Sequence, residues 1–416
     1  MSGSRPVTAC RACGGRLGPV FCDLGIQPVA NSYVPPERAA APEPAFPLRA
    51  VVCEACRLVQ LDTVVDERGI FTDYAYLSSM SSTWLEHAAR FCAAMTRRLG
   101  LGSDSFVVEV ASNDGYLLRN FVAAGIPCLG VEPALNVAEI ARAAGVPTEA
   151  RFFGRAAARD ILAARGGRAA ELVVANNVLA HVPDLDDFIG GLALLAGASG
   201  TVSIEAPHLV AMVDGVQFDT IYHEHYAYWS LLAMEAALAR QGLRVFDVER
   251  LSTHGGSLRV LASAAAWEPS AALRAVRAEE AERGLAGDAF YRGFGPRVQD
   301  VLDGLRAWLA EAVREGRRVC AYGAAAKGNT LLNAAGVGAA EILAVADRSA
   351  AKQGRLLPGS RIPVVSPEAM LALRPDDILI LPWNIEAEIA RQLAEAGYRG
   401  RLAVAVPRLA VRDAAA

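Results

Sequence analysis

The sequence predicts an α/β protein in which a small zinc-binding domain precedes two doubly wound parallel sheets. Two observations predict this fold class. Cysteines and prolines concentrate in residues 1–75, which hold five of the eight cysteines. β-type and helical runs then alternate along the chain and restart near Arg318, a rhythm typical of parallel sheets with helices on both faces.

Composition narrows the function classes. The chain has 416 residues, 53% of them hydrophobic, and a net charge of −4 without a run of basic residues. The electrostatic footprint of a nucleic-acid-binding protein is missing, so we expect no nucleic-acid partner. No apolar stretch reaches the ~18 residues of a membrane span, and the N-terminus lacks a signal-peptide pattern. These features predict a cytoplasmic protein with reduced thiols and no membrane contact.

The N-terminal cysteines form two Cys-x-x-Cys pairs, Cys10 with Cys13 and Cys53 with Cys56. Two tight turns can each present two thiolates to a tetrahedral zinc ion, and Gly14 suits such a turn because it tolerates positive φ. Four cysteines leave no open coordination position, so the predicted zinc is structural. The alternative is a redox Cys-x-x-Cys, a motif typical of a thioredoxin-like unit.

A strand, a polar turn and a helix start follow each other between Phe106 and Leu118. Ligands of such α/β units lie at the carboxyl ends of the strands. The turn lacks the G-x-G-x-x-G pattern of dinucleotide-binding proteins. Its acidic side chains, Glu109 and Asp114, would repel a pyrophosphate but suit the sulfonium and amino groups of an S-adenosyl cofactor. The predicted cofactor contacts in this turn are Glu109, Ala111, Asn113, Asp114 and Gly115.

Polar residues also end two further predicted strands. Glu132, followed by Pro133, ends the second strand, where a carboxylate can accept both hydroxyls of a ribose. Asn176 and Asn177 end another strand and face the same crevice. Ordinary turn chemistry explains the two asparagines equally well.

Hydrophobic periodicity predicts the remaining elements. Helices are expected at Ser82–Leu99, Tyr116–Ala124, Ala134–Ala144, Leu185–Ala196 and Ser230–Gly242, and one charged helical stretch at Glu279–Glu315. Strands are expected at Phe106–Val110, Pro127–Val131, Leu172–Asn176, Thr201–Glu205, Arg259–Ala262, Val319–Gly323, Ile342–Ala346, Asp377–Leu381 and Leu402–Val406.

The densest group of titratable side chains is Tyr222-His-Glu-His-Tyr226. Three interpretations stay open: a histidine base oriented by Glu224, a hydrogen-bonded core network, or a metal site. His181 follows a predicted strand end and could reach the same crevice, although an isolated histidine is more often structural.

A turn of small residues, Gly323-Ala-Ala-Ala-Lys-Gly328, follows a predicted strand and precedes a helix. Small residues let the backbone approach a ligand, and a helix N-terminus beside Lys327 favours an anion. Binding of a diphosphate and simple helix capping fit this turn equally well, whereas its spacing is not that of a Walker loop.

Taken in order, these motifs resemble one family. The two cysteine pairs are followed by Val-Glu-Val-Ala-Ser-Asn-Asp-Gly-Tyr-Leu, Tyr-His-Glu-His-Tyr, His254-Gly-Gly-Ser-Leu-Arg259 and Tyr322-Gly-Ala-Ala-Ala-Lys-Gly-Asn329. This order covers essentially the whole chain. It resembles the sugar C-methyltransferases of deoxysugar biosynthesis, and among them the C-3′-methyltransferases of D-tetronitrose formation.

The resemblance implies a class I methyltransferase fold in the central domain and a Rossmann-like C-terminal domain. The expected limits are residues 1–75 for the zinc-binding domain, 76–270 for the S-adenosylmethionine-binding domain, and 271–416 for a domain that helps to hold a nucleotide sugar. It also implies structural Zn²⁺, S-adenosylmethionine as methyl donor, and a substrate that is a dTDP-linked 4-keto-deoxysugar with a 3-amino group, used in antibiotic biosynthesis. A monomer is expected.

The implied catalytic residues are Tyr76, His181, Tyr222, Glu224 and His225. His225 is the implied base, and His181 or Tyr222 would stabilise the oxygen of an enolate formed beside the keto group. Lys327 is expected next to the phosphates, and Tyr322 of the same motif is expected to contact the substrate. The alternatives are O- or N-methylation of a small molecule, and a non-catalytic nucleotide-sugar-binding protein stabilised by zinc.

Overall fold

The computed structural model describes residues 3–65 and 77–414. The described strands are β1 Ser4–Pro6, β2 Leu17–Pro28, β3 Ala45–Cys53, β4 Val59–Leu61, β5 Thr63–Val65, β6 Val107–Val110, β7 Cys128–Val131, β8 Thr148–Glu149, β9 Leu172–Asn176, β10 Thr201–Pro207, β11 Ala227–Tyr228, β12 Arg244–Leu251, β13 Ser257–Ser263, β14 Val319–Tyr322, β15 Val345–Ala346, β16 Val364–Val365, β17 Asp377–Ile380, β18 Arg401–Val404 and β19 Ala410–Asp413. The described α-helices are α1 Ser82–Leu99, α2 Leu118–Ala123, α3 Leu135–Ala143, α4 Arg155–Ala164, α5 Leu185–Ala196, α6 Leu209–Asp214, α7 Leu231–Ala239, α8 Ala271–Glu282, α9 Ala289–Arg292, α10 Phe294–Arg314, α11 Ala326–Ala335, α12 Pro367–Ala372 and α13 Glu386–Glu395.

The central sheet has seven strands in the order β8-β7-β6-β9-β10-β13-β12. Strands β8 to β10 are parallel, whereas β13 is antiparallel to both β10 and β12. This is the class I methyltransferase arrangement. All four residues of β6 are buried because helices cover both faces of the sheet, which explains the continuous apolar runs seen in the sequence.

Strand β12 was not predicted from the sequence. It lies at the edge of the central sheet, and its charged residues leave only a broken alternation of apolar side chains. A bulge between Val245 and Asp247 shifts its register against β13 and interrupts the alternation further.

The N-terminal sheet has the order β11-β4-β3-β2. Three of its strands come from the cysteine-rich part of the chain. The fourth, β11, comes directly after the Tyr222–Tyr226 motif and pairs with β4 in antiparallel fashion. The segment with the densest titratable side chains is therefore attached to the sheet of the N-terminal unit.

The C-terminal sheet has the order β16-β15-β14-β17-β18-β19 and is parallel except for β19. The predicted helical stretch Glu279–Glu315 is interrupted, which corrects that prediction. Helix α8 ends before Gly284, whose φ of 73° is the left-handed conformation that terminates helices. The short helix α9 follows, and the long helix α10 begins at Phe294.

One apolar core joins the three units. It contains Phe21 and Val52 from the N-terminal sheet, Phe218 from the central unit, and Leu305 and Val345 from the C-terminal unit. The three units are thereby packed around a shared interior.

In the described parts of the chain, no helix is long and apolar enough to cross a membrane. The domain limits expected from the sequence stay predictions.

Candidate active site

A cavity of about 700 Å³ lies where the carboxyl ends of the central parallel strands meet the C-terminal unit. The loops after β6, β7 and β9 line one end. Histidines and tyrosines line its middle, and the turn before α11 lines the other end. The predicted site residues in its wall are Ala111, Asn113, Glu132, Pro133, Asn176, His181, Tyr222, His225 and Lys327.

The backbone fixes the carboxylate of Glu132 at the cofactor end. Its two oxygens accept hydrogen bonds from the backbone N–H groups of Asn113 at 2.9 Å and Ala134 at 3.0 Å. Each carboxylate oxygen has a further lone pair, so Glu132 can still accept hydroxyl groups from a ligand in the cavity. Burial raises the pKa of Glu132, and these two hydrogen bonds oppose that rise.

Glu109, Asp114 and Gly115 lie just behind the cavity wall rather than in it. Burial raises the pKa of Glu109 well above its ordinary value, and the neighbouring carboxylates Glu132 and Asp114 raise it further. Within the described residues, Glu109 Oε2, Asp114 Oδ1 and Asn176 Oδ1 are buried without a hydrogen-bond partner. Of the three residues only Asn176 lines the cavity and can accept a hydrogen bond from a ligand there, while the carboxyl groups behind the wall favour a ligand with cationic groups.

The turn after β6 depends on its glycine. Gly115 has a φ of 76°, and a Cβ atom built there would lie 2.8 Å from a methyl carbon of Val146. Ala111 and Asn113 also adopt positive φ, at 56° and 49°. These conformations cost energy in residues other than glycine, so the sharp turn is held by its surroundings.

Two histidines meet at the middle of the cavity. Their ring centroids are 4.7 Å apart, and both Nδ1 atoms bond to backbone carbonyl oxygens: His225 to Thr220 at 2.9 Å and His181 to Glu224 at 2.8 Å. A carbonyl oxygen only accepts, so Nδ1 carries the proton in each ring. The lone pair of His225 is therefore on Nε2, which lies 2.6 Å from the hydroxyl of Tyr222.

Burial keeps these histidines neutral. It lowers the pKa of His181 to about 4, and it lowers the pKa of His225 well below the ordinary 6.5, with nearby His181 and Lys327 adding to the effect. A neutral imidazole with an unprotonated Nε2 is the form that can accept a proton.

The structure corrects the expected role of Glu224. Its carboxylate does not reach His225 but accepts both hydrogen bonds from the side-chain amide of Asn31, at 2.8 and 3.0 Å. Burial raises the pKa of Glu224 to about 7, and the Asn31 amide opposes that rise. The carbonyl of Thr220 and the hydroxyl of Tyr222 orient the His225 ring instead.

One other predicted site residue lies away from the cavity histidines. Tyr322 lies in the core on the far side of the C-terminal sheet with its hydroxyl 3.4 Å from Gln392, so its predicted substrate contact is not supported. It fails because a strand alternates its side chains between faces, and this one points away from the cavity. Tyr76 lies outside the described residues.

The four predicted zinc ligands come together. Their sulfur atoms all lie within 4.8 Å of one another, with Cys10 Sγ 3.6 Å from Cys56 Sγ and Cys13 Sγ 3.5 Å from Cys53 Sγ. Thiolates bound to zinc at about 2.3 Å in tetrahedral geometry are separated by roughly 3.8 Å. The donor set and the spacing fit a structural zinc ion.

Comparisons with known proteins agree with this layout. Three family models match consecutive parts of the chain: a zinc binding domain over residues 10–71, a methyltransferase domain over 84–248 and a C-methyltransferase C-terminal domain over 252–407. C-methyltransferase NovU from Streptomyces niveus is 36% identical over 408 residues, which span 97% of this chain and 96% of NovU. The chain belongs to the C-methyltransferase family. It is an S-adenosylmethionine-dependent enzyme with a zinc-binding domain.

Some solved structures match part of this C-methyltransferase. Magnesium protoporphyrin IX methyltransferase from Synechocystis PCC 6803 with bound SAH is 14% identical, with a TM-score of 0.33, over 43% of this chain and 82% of that chain. An S-adenosylmethionine-dependent methyltransferase from Clostridium acetobutylicum ATCC 824 is 11% identical, with a TM-score of 0.35, over 44% of this chain and 92% of that chain. Family membership depends on the family models and NovU.

The C-methyltransferase also has an ionic cluster next to the cavity that the sequence did not reveal. Glu205 Oε2 lies 3.0 Å from His87 Nε2 and accepts a hydrogen bond from Arg259 at 2.8 Å. His87 stacks on Trp84, which lines the cavity beside His254. The sequence signals were the three-residue spacing of Trp84 and His87 on a helix and the motif that ends at Arg259, and neither indicates that these residues meet at Glu205.

Proposed function

We propose that this C-methyltransferase methylates C-3′ of a dTDP-linked 4-keto-deoxysugar, a 3-amino sugar, through an enolate. The observation that carries the proposal is the continuity of the cavity. One space of about 700 Å³ extends from Glu132 at the cofactor end, past His225, to Lys327 of the C-terminal unit. A ligand with a reactive ring in the middle and an anionic group at the far end would fit such a space.

The proposed base is Nε2 of His225. Carbon becomes a nucleophile only when a proton is removed beside a carbonyl, and a neutral, oriented imidazole performs this step. The carbonyl of Thr220 holds the Nδ1 proton and so keeps the lone pair on Nε2, toward the cavity. In the mechanism, Nε2 takes the C-3 proton and the electron pair moves onto the C-4 oxygen.

The proposed stabilisers of that oxygen are Tyr222 and His181. The hydroxyl of Tyr222 bonds to His225 Nε2 at 2.6 Å. It therefore occupies the position from which the C-3 hydrogen of a bound sugar would be transferred to Nε2. Substrate would displace it toward the neighbouring C-4 oxygen, where it can donate a hydrogen bond as negative charge develops. Bound S-adenosylmethionine supplies the electrophilic methyl group that the enolate carbon accepts.

Replacement of the base tests the proposal. We expect His225→Asn to lower kcat by about 10²–10⁴-fold, the usual contribution of a general base, with SAH affinity unchanged. The variant should also stop solvent deuterium from entering C-3 of a dTDP-linked 3-amino-4-keto-deoxysugar in the presence of SAH. His223→Asn is the matched control because His223 belongs to the same motif but bonds to the carbonyl of Phe46, away from the cavity.

Near-normal turnover by His225→Asn would contradict the base assignment. Methylation of the sugar by the wild-type enzyme without any deuterium entry or C-3 proton loss would point to O- or N-methylation instead.

The pH dependence of kcat/KM follows from the state of His225. The base acts in its neutral form, and burial lowers the pKa of His225 well below 6.5. Activity should therefore persist as the pH falls through 6.5, and the acidic limb assigned to His225 should lie below that value. A limb at or above 6.5 that disappears in His225→Asn would contradict this.

The proposal includes a cytoplasmic monomer with no nucleic-acid partner. Size-exclusion chromatography with light scattering checks the oligomeric state.

A further inference from the structure

The segment that carries His225 is held by the zinc-binding unit along its length. Strand β11 pairs with β4, and the backbone N–H of Leu61 donates to the carbonyl of Tyr226 at 3.0 Å. The hydroxyl of Tyr226 donates to the carbonyl of Val65 at 3.1 Å. These contacts fix the residue that directly follows His225.

Arg11 links this segment to the cysteine cluster. It directly follows Cys10, and its guanidinium donates one hydrogen bond to the carbonyl of Tyr226 and another, at 3.4 Å, to the carbonyl of Val182. Tyr226 follows His225 and Val182 follows His181, so each accepting carbonyl belongs to the residue after a cavity histidine. The guanidinium carbon also lies 5.4 Å from the centre of the Tyr226 ring.

Gln60 fixes the orientation of Arg11. The side-chain oxygen of Gln60 accepts from both the backbone N–H of Arg11 at 3.1 Å and its Nε at 3.3 Å. Gln60 is fully buried on β4, opposite Ala227 of β11. A planar guanidinium has donors in fixed directions, so anchoring Nε determines where its two terminal nitrogens point.

We propose that Arg11 is a positioning residue through which the zinc-bound cysteine turn sets the placement of His225 and His181. The inference rests on the proposed role of His225 as the base. A lysine at position 11 keeps the charge but has a single terminal nitrogen. It cannot donate to the carbonyls of Tyr226 and Val182 while a second nitrogen along the side chain donates to Gln60. The zinc turn therefore acts on the proton-transfer step and not on the cofactor end of the cavity.

Arg11→Lys tests the inference, with Arg16→Lys as the matched control. Arg16 follows the same turn by three residues, but its side chain is 82% exposed and pairs with Glu54 at 3.5 Å. We expect Arg11→Lys to keep its zinc and to bind SAH with wild-type affinity. Its kcat for a dTDP-linked 3-amino-4-keto-deoxysugar should fall about 10–100-fold with KM within about threefold, the effect expected when a catalytic group is slightly misplaced. Arg16→Lys should match the wild type.

Hydrogen–deuterium exchange gives a readout that is independent of turnover. Backbone amides of residues 222–228 should exchange faster in Arg11→Lys, while those of 107–115 in the cofactor turn should not change. Gln60→Leu removes the anchor of Arg11 without altering charge, and we expect it to give the same pattern of kcat and amide exchange. This second variant keeps the test available if Arg11→Lys fails to fold.

Several outcomes would overturn the inference. Wild-type kcat and exchange in both Arg11→Lys and Gln60→Leu would do so, and so would a loss of kcat that only parallels loss of zinc or of SAH affinity. Failure of the proposed function is distinguishable, because then His225→Asn would retain activity whatever happens at Arg11.

Discussion

Lys327 is one of only two lysines among 41 basic residues, and its ammonium is buried. It has no hydrogen-bond partner among the described residues and lies 4.7 Å from the centre of the Trp383 ring. The indole N–H of Trp383 donates to Asp219 at 2.7 Å. Burial lowers the pKa of Lys327, and nearby Asp219 opposes that effect. An unpaired cation in a cavity wall is poised to bind an anionic ligand group.

At this residue we expect Lys327→Met to lower kcat/KM for the proposed dTDP-linked sugar by about 10–100-fold. A hydrogen bond to a charged group contributes about 1.5–3 kcal/mol, and each 1.4 kcal/mol is tenfold in affinity. SAH affinity, measured by calorimetry, should not change.

Lys352→Met is the control for Lys327. Lys352 donates to the carbonyl of Ala324 in the same turn at 2.7 Å, but it does not line the cavity. Equal effects of the two lysine variants on kcat/KM would argue that Lys327 acts through the loop and not through substrate.

Among the structural elements, the turn after β6 should be disrupted by a single added methyl group. In Gly115→Ala the new Cβ would lie 2.8 Å from Val146 at a φ of 76°. Gly125→Ala is the matched control, because it has a φ of 68° with no atom within 4 Å. The left-handed conformation alone costs about 1–2 kcal/mol in alanine.

We expect Gly125→Ala to lower the free energy of unfolding by about that amount, and Gly115→Ala to lower it more and to weaken SAH binding as well. Urea denaturation and SAH titration measure both quantities. Equal destabilisation of the two variants with equal SAH affinity would show that the overlap with Val146 is relieved at no cost.

The parallel strands β6, β7, β9 and β10 of the central sheet were predictable because each is a largely apolar run ending in polar residues, whereas the two-residue strand β8 has no such run and was not predicted. Helix α1 was predicted to its observed bounds, since Ser81 caps it and Gly100 ends it in the left-handed conformation. In the C-terminal unit, the predicted strand Ile342–Ala346 is reduced to Val345–Ala346, because only these two residues pair with neighbouring strands.

Ligands of α/β proteins lie at the carboxyl ends of the parallel strands, so the gathering of site residues there was predictable. The hydrogen-bond partners of these residues were not. Asn31 meets Glu224 across 193 positions of sequence, and Arg11 meets Tyr226 across 215. No local pattern encodes such pairs, because they depend on how the N-terminal sheet packs against the central one. The sequence therefore suggested that Glu224 serves its neighbour His225, when its actual partner is distant.

At the scale of the whole molecule, loss of the cysteine cluster should destabilise strands outside the two cysteine turns. We expect Cys13→Ser to lose zinc and lower the melting temperature, because zinc binding contributes directly to folding in such sites. Amide exchange should then rise in β4 and also in β11, which pairs with it. Cys22→Ser, at a buried thiol outside the cluster, should retain its zinc. Full zinc content in Cys13→Ser, measured by atomic emission, would contradict the four-cysteine site.

Strand β11 also limits how this scaffold can be recombined. A chimera that takes residues 3–65 from a relative would keep its own β11 and thus set a foreign strand against the backbone next to His225. The N-terminal unit and the 220–228 segment are inherited in effect as one module, although about 155 residues of chain separate them. Shuffling libraries built at the apparent domain boundaries would break this module, whereas libraries that exchange both pieces together would preserve it.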